Sequence, residues 1–375
     1  MVEAVAQEDR APLFLDGTPY LRGLTHGKAL GSRIQALVAR WKDELEQGSG
    51  MNADELIVRF VDRTDYVAAM LRWTPDLLDE IRGIADGACV ELDTMLCFQL
   101  VDELWNNLEV AFPEHCSSLG LPPQGGEPAF LAQTMDIERF RDGSQVVLHI
   151  RYPDSDLESL VLTSAGMIGL NGLNNRAVGI CCNALMQLTS ATSGLPVACV
   201  VRGVLQKQSL AEALDLCRTV DHASGQNYLI GGPDGVVALE CSANQVVQLP
   251  VQGGGGAIWH TNHPLANDDT KGWFRERQER GGENPPLDNS MARYQALARR
   301  LSEYPAGRRL DQIREIMASK DSAQHPICAS GREGEFYTDI GLFTFAATIM
   351  VLSKTPELHA SLGPPDREPY QRFVF

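Results

Sequence analysis

Apolar positions along this chain follow two different periods, and the change from one to the other falls near Pro113. In the first third, Leu30, Ile34, Leu37, Val38, Trp41 and Leu45 recur at steps of three and four, which places them on one face of a helix starting near His26. A second helix is predicted from Thr74-Pro75, a pair suited to a cap and a first helical position, with Leu77, Leu78, Ile81 and Ile84 as its apolar stripe. A third follows Asp93 and carries Met95, Leu96, Phe98, Leu100 and Trp105. Trp41 and Trp105 are expected in the core, and all three helices need a further layer to cover.

Beyond Pro113 the apolar runs become short or alternating, broken by Gly, Pro and Asn, as in antiparallel strands joined by hairpins. Strands are predicted at Ser117–Leu121, Ala129–Met135, Gln145–Ile150, Leu160–Ser164, Ala177–Asn183, Gln226–Ile230, Val236–Cys241 and Val246–Leu249. Helices are predicted at Pro196–Lys207, Ser209–Val220, Ser290–Leu301 and Leu310–Ser319, and two last strands at Phe343–Leu352 and Tyr370–Phe375. The stretch Asn267–Asn289 crowds charge, Gly and Pro together and reads as a linker or loop excursion. Gly253–Gly256 has no GK[ST] after it and reads as a flexible turn rather than a phosphate cradle.

Charge narrows the partners. Among 375 residues, 32 Lys and Arg stand against 49 Asp and Glu, a formal net charge of −17 that repels nucleic acid and anionic lipid. A content of 44% hydrophobic and 22% charged residues is that of a folded, soluble protein, and the length permits two or three domains or one large layered α/β or α+β domain. No apolar run approaches the roughly 18 residues of a spanning helix, and the acidic start lacks a signal-like segment, so a cytoplasmic location is the default expectation. Nine cysteines without a CxxC pair read as mostly buried thiols in a reducing compartment.

Candidate chemistry is sparse. His260-Thr261-Asn262-His263 contains HxxH, but it follows a probable strand rather than lying on a helix, so neither a metal nor any other cofactor is expected. A GxSxG elbow is absent. Cys116 stands where the helical third gives way to the first strand, and its hairpin returns to Asp136. Alone, such a cysteine is ordinarily a small buried hydrophobe.

Several short motifs occur in a telling order: Gly23-Leu24-Thr25-His26-Gly27, Glu80 to Ala88, His115-Cys116-Ser117-Ser118, Gln133-Thr134-Met135-Asp136, Gly172-Leu173-Asn174, Gly179 to Asn183, and His260 to His263. Together they resemble the acyl-coenzyme A:6-aminopenicillanate acyltransferase family of cysteine N-terminal-nucleophile (Ntn) hydrolases. The family often has Thr after the cysteine and Trp before the aspartate, where this chain has Ser117 and Met135.

That resemblance implies an α+β fold, the αββα sandwich of two antiparallel sheets between helical layers. It implies a precursor that cuts itself between His115 and Cys116 into an α-fragment of residues 1–115 and a β-fragment of residues 116–375, which stay associated as one domain. Carried over, Cys116 is the nucleophile, Asp136 a partner near its new amine, and Asn262 an oxyanion donor. For Asp136 a plain hairpin-end carboxylate, and for Asn262 a turn former, stay open as alternatives. His260 and His263 read as structural hydrogen-bonders, since an α-amine already supplies the base.

The implied substrate is a small N-acyl amine or N-acyl amino acid, cleaved through a Cys116 thioester. Trp105 and Phe112, near the cut, are candidate pocket residues, and Arg275, Arg277 and Arg280 are candidate carboxylate contacts, with a solvated charged loop as their alternative. An N-acyltransferase and a non-catalytic binding protein on the same fold are the competing readings. No nucleic acid, membrane or cofactor is called for, and homo-oligomerisation stays open.

Overall fold

Thr18 and Pro19 start the first helix well ahead of His26: the Thr18 hydroxyl accepts from Leu21 N–H, and Pro19 occupies the first position. The structure, a computed structural model, describes residues 11–108, 115–153, 155–280, 285–303, 309–331 and 341–375. Helix α1 (Pro19–Ser49) runs to Gly50, which takes the left-handed φ of 67°. Short α2 (Ala53–Asp62) and α3 (Tyr66–Trp73), absent from the periodicity reading, come before α4 (Pro75–Ala88). Pro75 does open α4, but the Thr74 side chain makes no capping bond. The helix expected after Asp93 is two, α5 (Leu92–Gln99) and α6 (Val101–Leu108), broken at Leu100.

Close packing explains the glycines of two of the family-like motifs. Gly23 and Gly27 on α1 face Gly83 and Gly87 on α4, each pair four residues apart. A Cβ at Gly23 would stand 1.9 Å from the Glu80 carbonyl oxygen, and one at Gly83 would stand 2.1 Å from that of Tyr20. No other residue permits this backbone-to-backbone crossing.

The strands form two sheets. The first orders β1 (Leu13–Leu15), β4 (Gln145–Arg151), β5 (Glu158–Ser164), β6 (Asn171–Asn174), β7 (Gly179–Ala184), β8 (Gln226–Gly232), β9 (Gly235–Cys241) and β10 (Val246–Gln248). The second orders β11 (Ile258–His260), β2 (His115–Leu121), β3 (Ala129–Glu138), β12 (Leu342–Leu352), β13 (Glu357–Ser361) and β14 (Gln371–Phe373). All pairings are antiparallel except the edge pair β1–β4. Strand β7 begins later than expected because Ala177 sits in a turn at φ 59°.

Three apolar zones give the layer order. Ile34, Trp41 and Ile84 of the first helices, with Val200 of α7 (Val197–Val204) and Cys217 of α8 (Leu210–Thr219), pack on Leu148, Val161 and Ile230 of the first sheet. Between the sheets, Leu160 and Leu229 meet Leu131 and Phe345. The second sheet's outer face, with Phe130 and Ile349, is covered by Leu297 of α10 (Pro285–Glu303) and Ile313 of α11 (Arg309–Met317). Helix, sheet, sheet, helix is the αββα order that the motifs implied.

The expected excursion Asn267–Asn289 is not a free linker. Its ends, Asn267 and Asn289, are buried, and α9 (Gly272–Arg280) lies within it. Charge without apolar periodicity hid a helix that buries little beyond Phe274. Among the described residues, no helix is long and apolar enough to cross a membrane.

Candidate active site

Strand alternation decides what each residue at the start of β2 can reach. Cys116 faces the space between the sheets, Ser117 faces the outer helices, and Ser118 turns inward to donate to Asn183 Oδ1 at 2.7 Å. On one side β2 pairs with β3, where His115 stands opposite Asp136 and Cys116 opposite Met135. On the other side β11 reaches only Ser118, so the polar backbone of Cys116 is left to side chains.

Two residues take up that backbone. Cys116 N–H donates to Asn262 Oδ1 at 2.7 Å, and the Cys116 carbonyl accepts from Arg293 Nη1 at 2.6 Å. Arg293 also donates to Ser117 Oγ at 2.9 Å, Asn262 Oδ1 at 3.0 Å and Asn289 Oδ1 at 2.8 Å. Because Asn262 Oδ1 meets only donors, its amide orientation is determined, and Nδ2 donates to the Ala184 carbonyl at 3.1 Å. Asp136 accepts from Thr344 Oγ1 at 2.6 Å on the outward face of its strand, the face opposite the Cys116 side chain.

The Asn262 loop is held by a carboxylate that sequence reasoning missed. Buried Glu240 accepts from His260 Nε2 at 2.7 Å and from the N–H groups of Leu265, Ala266 and Asn267 at 2.7, 2.8 and 2.6 Å. Burial pushes its pKa up, but the His260 bond and these backbone donors hold it below the usual carboxylate range. Ser290 Oγ accepts from Asn262 N–H and lies 2.7 Å from His263 Nδ1. Burial lowers the His263 pKa to about 4, so its ring is neutral at pH 7. Both histidines are structural hydrogen-bonders, and no cluster of metal-ligating side chains occurs among the described residues.

A cavity of about 60 Å³ opens beside Cys116. Its walls include Met135 and Ile137 of β3, Cys182 and Ala184 of β7, Val197 and Val201 of α7, and Asp102 of α6. Met135, where the family often has Trp, is thus a wall residue. As alternation requires, Cys181 turns into the inter-sheet core while Cys182 reaches the cavity.

The cavity wall at Met167–Leu170 depends on the first helices. Gly166 N–H donates to His26 Nε2 at 3.0 Å, and Gln99 bonds the Gly166 carbonyl at 2.9 Å and Ile168 N–H at 2.8 Å. His26 is wholly buried, which lowers its pKa to about 4 and keeps it a neutral acceptor.

Cys116 and Asn262 are therefore in contact, while Asp136 lies across β2 and β3 with its carboxylate on the other face. Trp105 is buried against Gly48 and is not a wall residue of the cavity. Arg275, Arg277 and Arg280 are exposed on α9 and are not wall residues of the cavity, with Arg275 bonded to the Thr270 carbonyl and Arg280 to Glu276. Phe112 lies outside the described residues. Arg293 and Ser290 escaped sequence reading because a helical Asn289-Ser290-x-x-Arg293 run resembles any solvated helix face; its one signal is the four-residue spacing of Asn289 and Arg293.

The model of a family described as acyl-coenzyme A:6-aminopenicillanic acid acyl-transferase matches residues 124–346. The chain belongs to that family. Asp136, Asn262 and Arg293 fall within the matched residues, and Cys116 lies just before them. The chain is 25% identical over 320 residues to the acyl-coenzyme A:6-aminopenicillanic-acid-acyltransferase 40 kDa form of Emericella nidulans, covering 85% of this chain and 84% of that protein. Among solved structures, it is similar to a Caenorhabditis elegans N-acylethanolamine-hydrolyzing acid amidase ortholog, with 16% identity and a TM-score of 0.43 over 69% of this chain and all of that one. A conjugated bile acid hydrolase mutant from Clostridium perfringens is 11% identical with a TM-score of 0.41, over 69% of this chain and 97% of that one.

Proposed function

We propose that the chain is a self-processing cysteine amidohydrolase that cleaves small acyl amides through a thioester on Cys116. One observation carries the reading: Cys116 borders a cavity while its N–H and carbonyl are held by Asn262 and Arg293 rather than by a neighbouring strand.

In processing, the Cys116 thiol attacks the His115 carbonyl carbon, the His115–Cys116 amide bond breaks, and the acyl group passes to sulfur. Water then hydrolyses the thioester, leaving a carboxylate on His115 and a free thiol and α-amine on Cys116. An α-amine with an ordinary pKa near 8 accepts the thiol proton at neutral pH, so one residue supplies nucleophile and base. Removing His115 opens the position opposite Asp136, which leaves that carboxylate beside the new terminus. The buried Arg293 charge favours a thiolate nearby, and Asn262 Nδ2 retains a second hydrogen for an oxyanion.

The resulting fragments are residues 1–115 and 116–375, joined by the His26 and Gln99 bonds to the cavity wall. Capture of the same acyl-enzyme by an amine instead of water gives acyl transfer, which the family and its Emericella relative support as a second outcome.

Intact mass under denaturing conditions tests the mechanism. We expect a chain beginning Cys116-Ser117-Ser118 in active protein, and a single uncut, inactive chain for Cys116→Ala, with activity down by at least ~10⁴-fold. Full activity in an unbroken wild-type chain would overturn it.

A further inference from the structure

We propose that Thr344 is a positioning residue for the chemistry at Cys116, holding the Asp136 carboxylate in place opposite the peptide bond that is cut. The proposal rests on the self-processing reading for the role of Asp136, while the coupling of the two side chains is measurable without it.

An irregularity in β12 makes the pair. Thr344 stands opposite Asp136 and Ala346 opposite Met135, so Phe345 is the extra residue of a bulge. Carrying the register back from Ala346 without that bulge would set Phe345 opposite Asp136. The bulge instead turns Phe345 and Ala346 together into the inter-sheet core and leaves a hydroxyl across from the carboxylate on the outer face. The Phe345 carbonyl accepts from Gln145 Nε2 of β4 at 2.9 Å, which ties the irregularity to the first sheet.

Thr344 and Asp136 are both fully buried. Thr344 Oγ1 accepts from Ala329 N–H at 2.8 Å and donates its own hydrogen to Asp136 Oδ1 at 2.6 Å. The Thr344 backbone is clamped as well, its N–H donating to the Ala329 carbonyl at 2.8 Å. A donor held in this way favours the ionised carboxylate and fixes its direction. Other titratable and charged groups lie around the pair. His115 is opposite Asp136 on β2, Glu138 of β3 is bonded to Arg141, and Arg293 of α10 reaches Ser117. Cys328, next to Ala329, is kept a neutral thiol by burial and bonds Asp366, which is itself paired with Lys320. Once the His115–Cys116 bond breaks, an ammonium formed when the new amine takes the thiol proton is stabilised by a fixed negative charge at that position.

Thr344→Val keeps the side-chain shape and removes the hydroxyl, and Thr344→Ala takes its place if the valine variant does not fold. The uncut chain should disappear about 10- to 100-fold more slowly than in wild type, and kcat on an acyl p-nitroanilide should fall by a similar factor at unchanged KM. Thr344→Ser should restore both rates to within about 3-fold. Valine also loses the Ala329 bond, so the same substitution is made in Asp136→Asn, where it should add less than about 2-fold. A second arm needs no catalysis. In uncut Cys116→Ala with isotope-labelled aspartate carboxyls, the Asp136 signal, assigned by its loss in Asp136→Asn, should titrate at higher pH once Thr344→Val is introduced.

An unchanged titration, a serine variant as slow as the valine one, or a valine effect that persists in full in Asp136→Asn overturns the inference and leaves the self-processing reading standing. Failure of both Thr344→Val and Thr344→Ala to fold also overturns it, because the hydroxyl would then be a requirement of the fold. A shifted titration in a protein whose wild-type chain stays uncut and inactive overturns the self-processing reading and leaves the coupling of Thr344 to Asp136.

Discussion

Two buried arginine clusters in this protein differ in whether a carboxylate is built into them. In the helical layer, Arg22 of α1 and Arg202 of α7 share Glu80 of α4, with bonds of 2.7–3.1 Å. Burial alone would raise the Glu80 pKa, but the two guanidinium groups hold it below the usual carboxylate range. One carboxylate serves two guanidinium groups in this cluster, which locks three helices and, through the Ile168 carbonyl, one cavity wall. At the start of β2, Arg293 is equally buried, yet its acceptors among the described residues are four neutral oxygens. A cluster that holds its own carboxylate serves packing. A buried cation whose described acceptors are all neutral, one of them the Cys116 carbonyl, keeps a positive potential at the start of β2.

The sharpest way to break this comparison is at Glu80. Glu80→Gln leaves two buried guanidinium groups without a counter-charge, and denaturant unfolding should lose about 3–5 kcal/mol. If the cluster is structural, kcat per folded molecule should stay within a factor of a few. A large kcat loss at unchanged stability would show that the two clusters are not different in kind.

Arg293→Met is the matching experiment at the other cluster. It should lower kcat by roughly 10²–10³-fold and slow processing, and Arg293→Lys should recover only part because one ammonium cannot span four acceptors. A simple fall in stability with normal kcat would place Arg293 with the packing arginines. Asn262→Ala should cost a comparable factor in kcat with a smaller change in KM. Near-normal turnover there would return Asn262 to a turn-forming role.

Glu103 of α6 supplies a test through the pH dependence of stability rather than through turnover. Its folded pKa of about 7 lies above an unfolded value of about 4.3, so the folded state binds the extra proton between those pH values. Its contribution therefore makes stability fall as pH rises from about 4.3 to 7, with no further change above. Glu103→Gln should flatten that part of the Tm against pH curve, and an unchanged slope would show that other groups set it.

Much of the architecture was legible from patterning. The switch of apolar period near Pro113 marks the passage from the helical layer to the sheets, and most predicted strands begin or end within a few residues of the observed ones. The failures have local causes. Short helices such as α2 and α3 complete too few turns for a stripe to register, the break at Leu100 carries no Gly or Pro, and α9 is nearly all exposed. At the candidate site, Cys116 and Asn262 drew attention in the sequence because their motifs are contiguous, and the fold brings the two into contact. Glu240, Ser290 and Arg293 did not, since each acts on a residue that is distant in the chain.

Backbone rules operate over a few residues, so this chain's order of residues settles its helices, its strands, the glycine-only crossing of α1 on α4 and the face that each residue of β2 presents. It settles as well that the whole chain is acidic. Charge pairing and cavity shape depend instead on groups brought within a few ångströms after folding. That is why only the assembled layers separate Arg293 from Arg202, leave Arg275, Arg277 and Arg280 out of the cavity wall, and set Asp102 in that wall with Cys116.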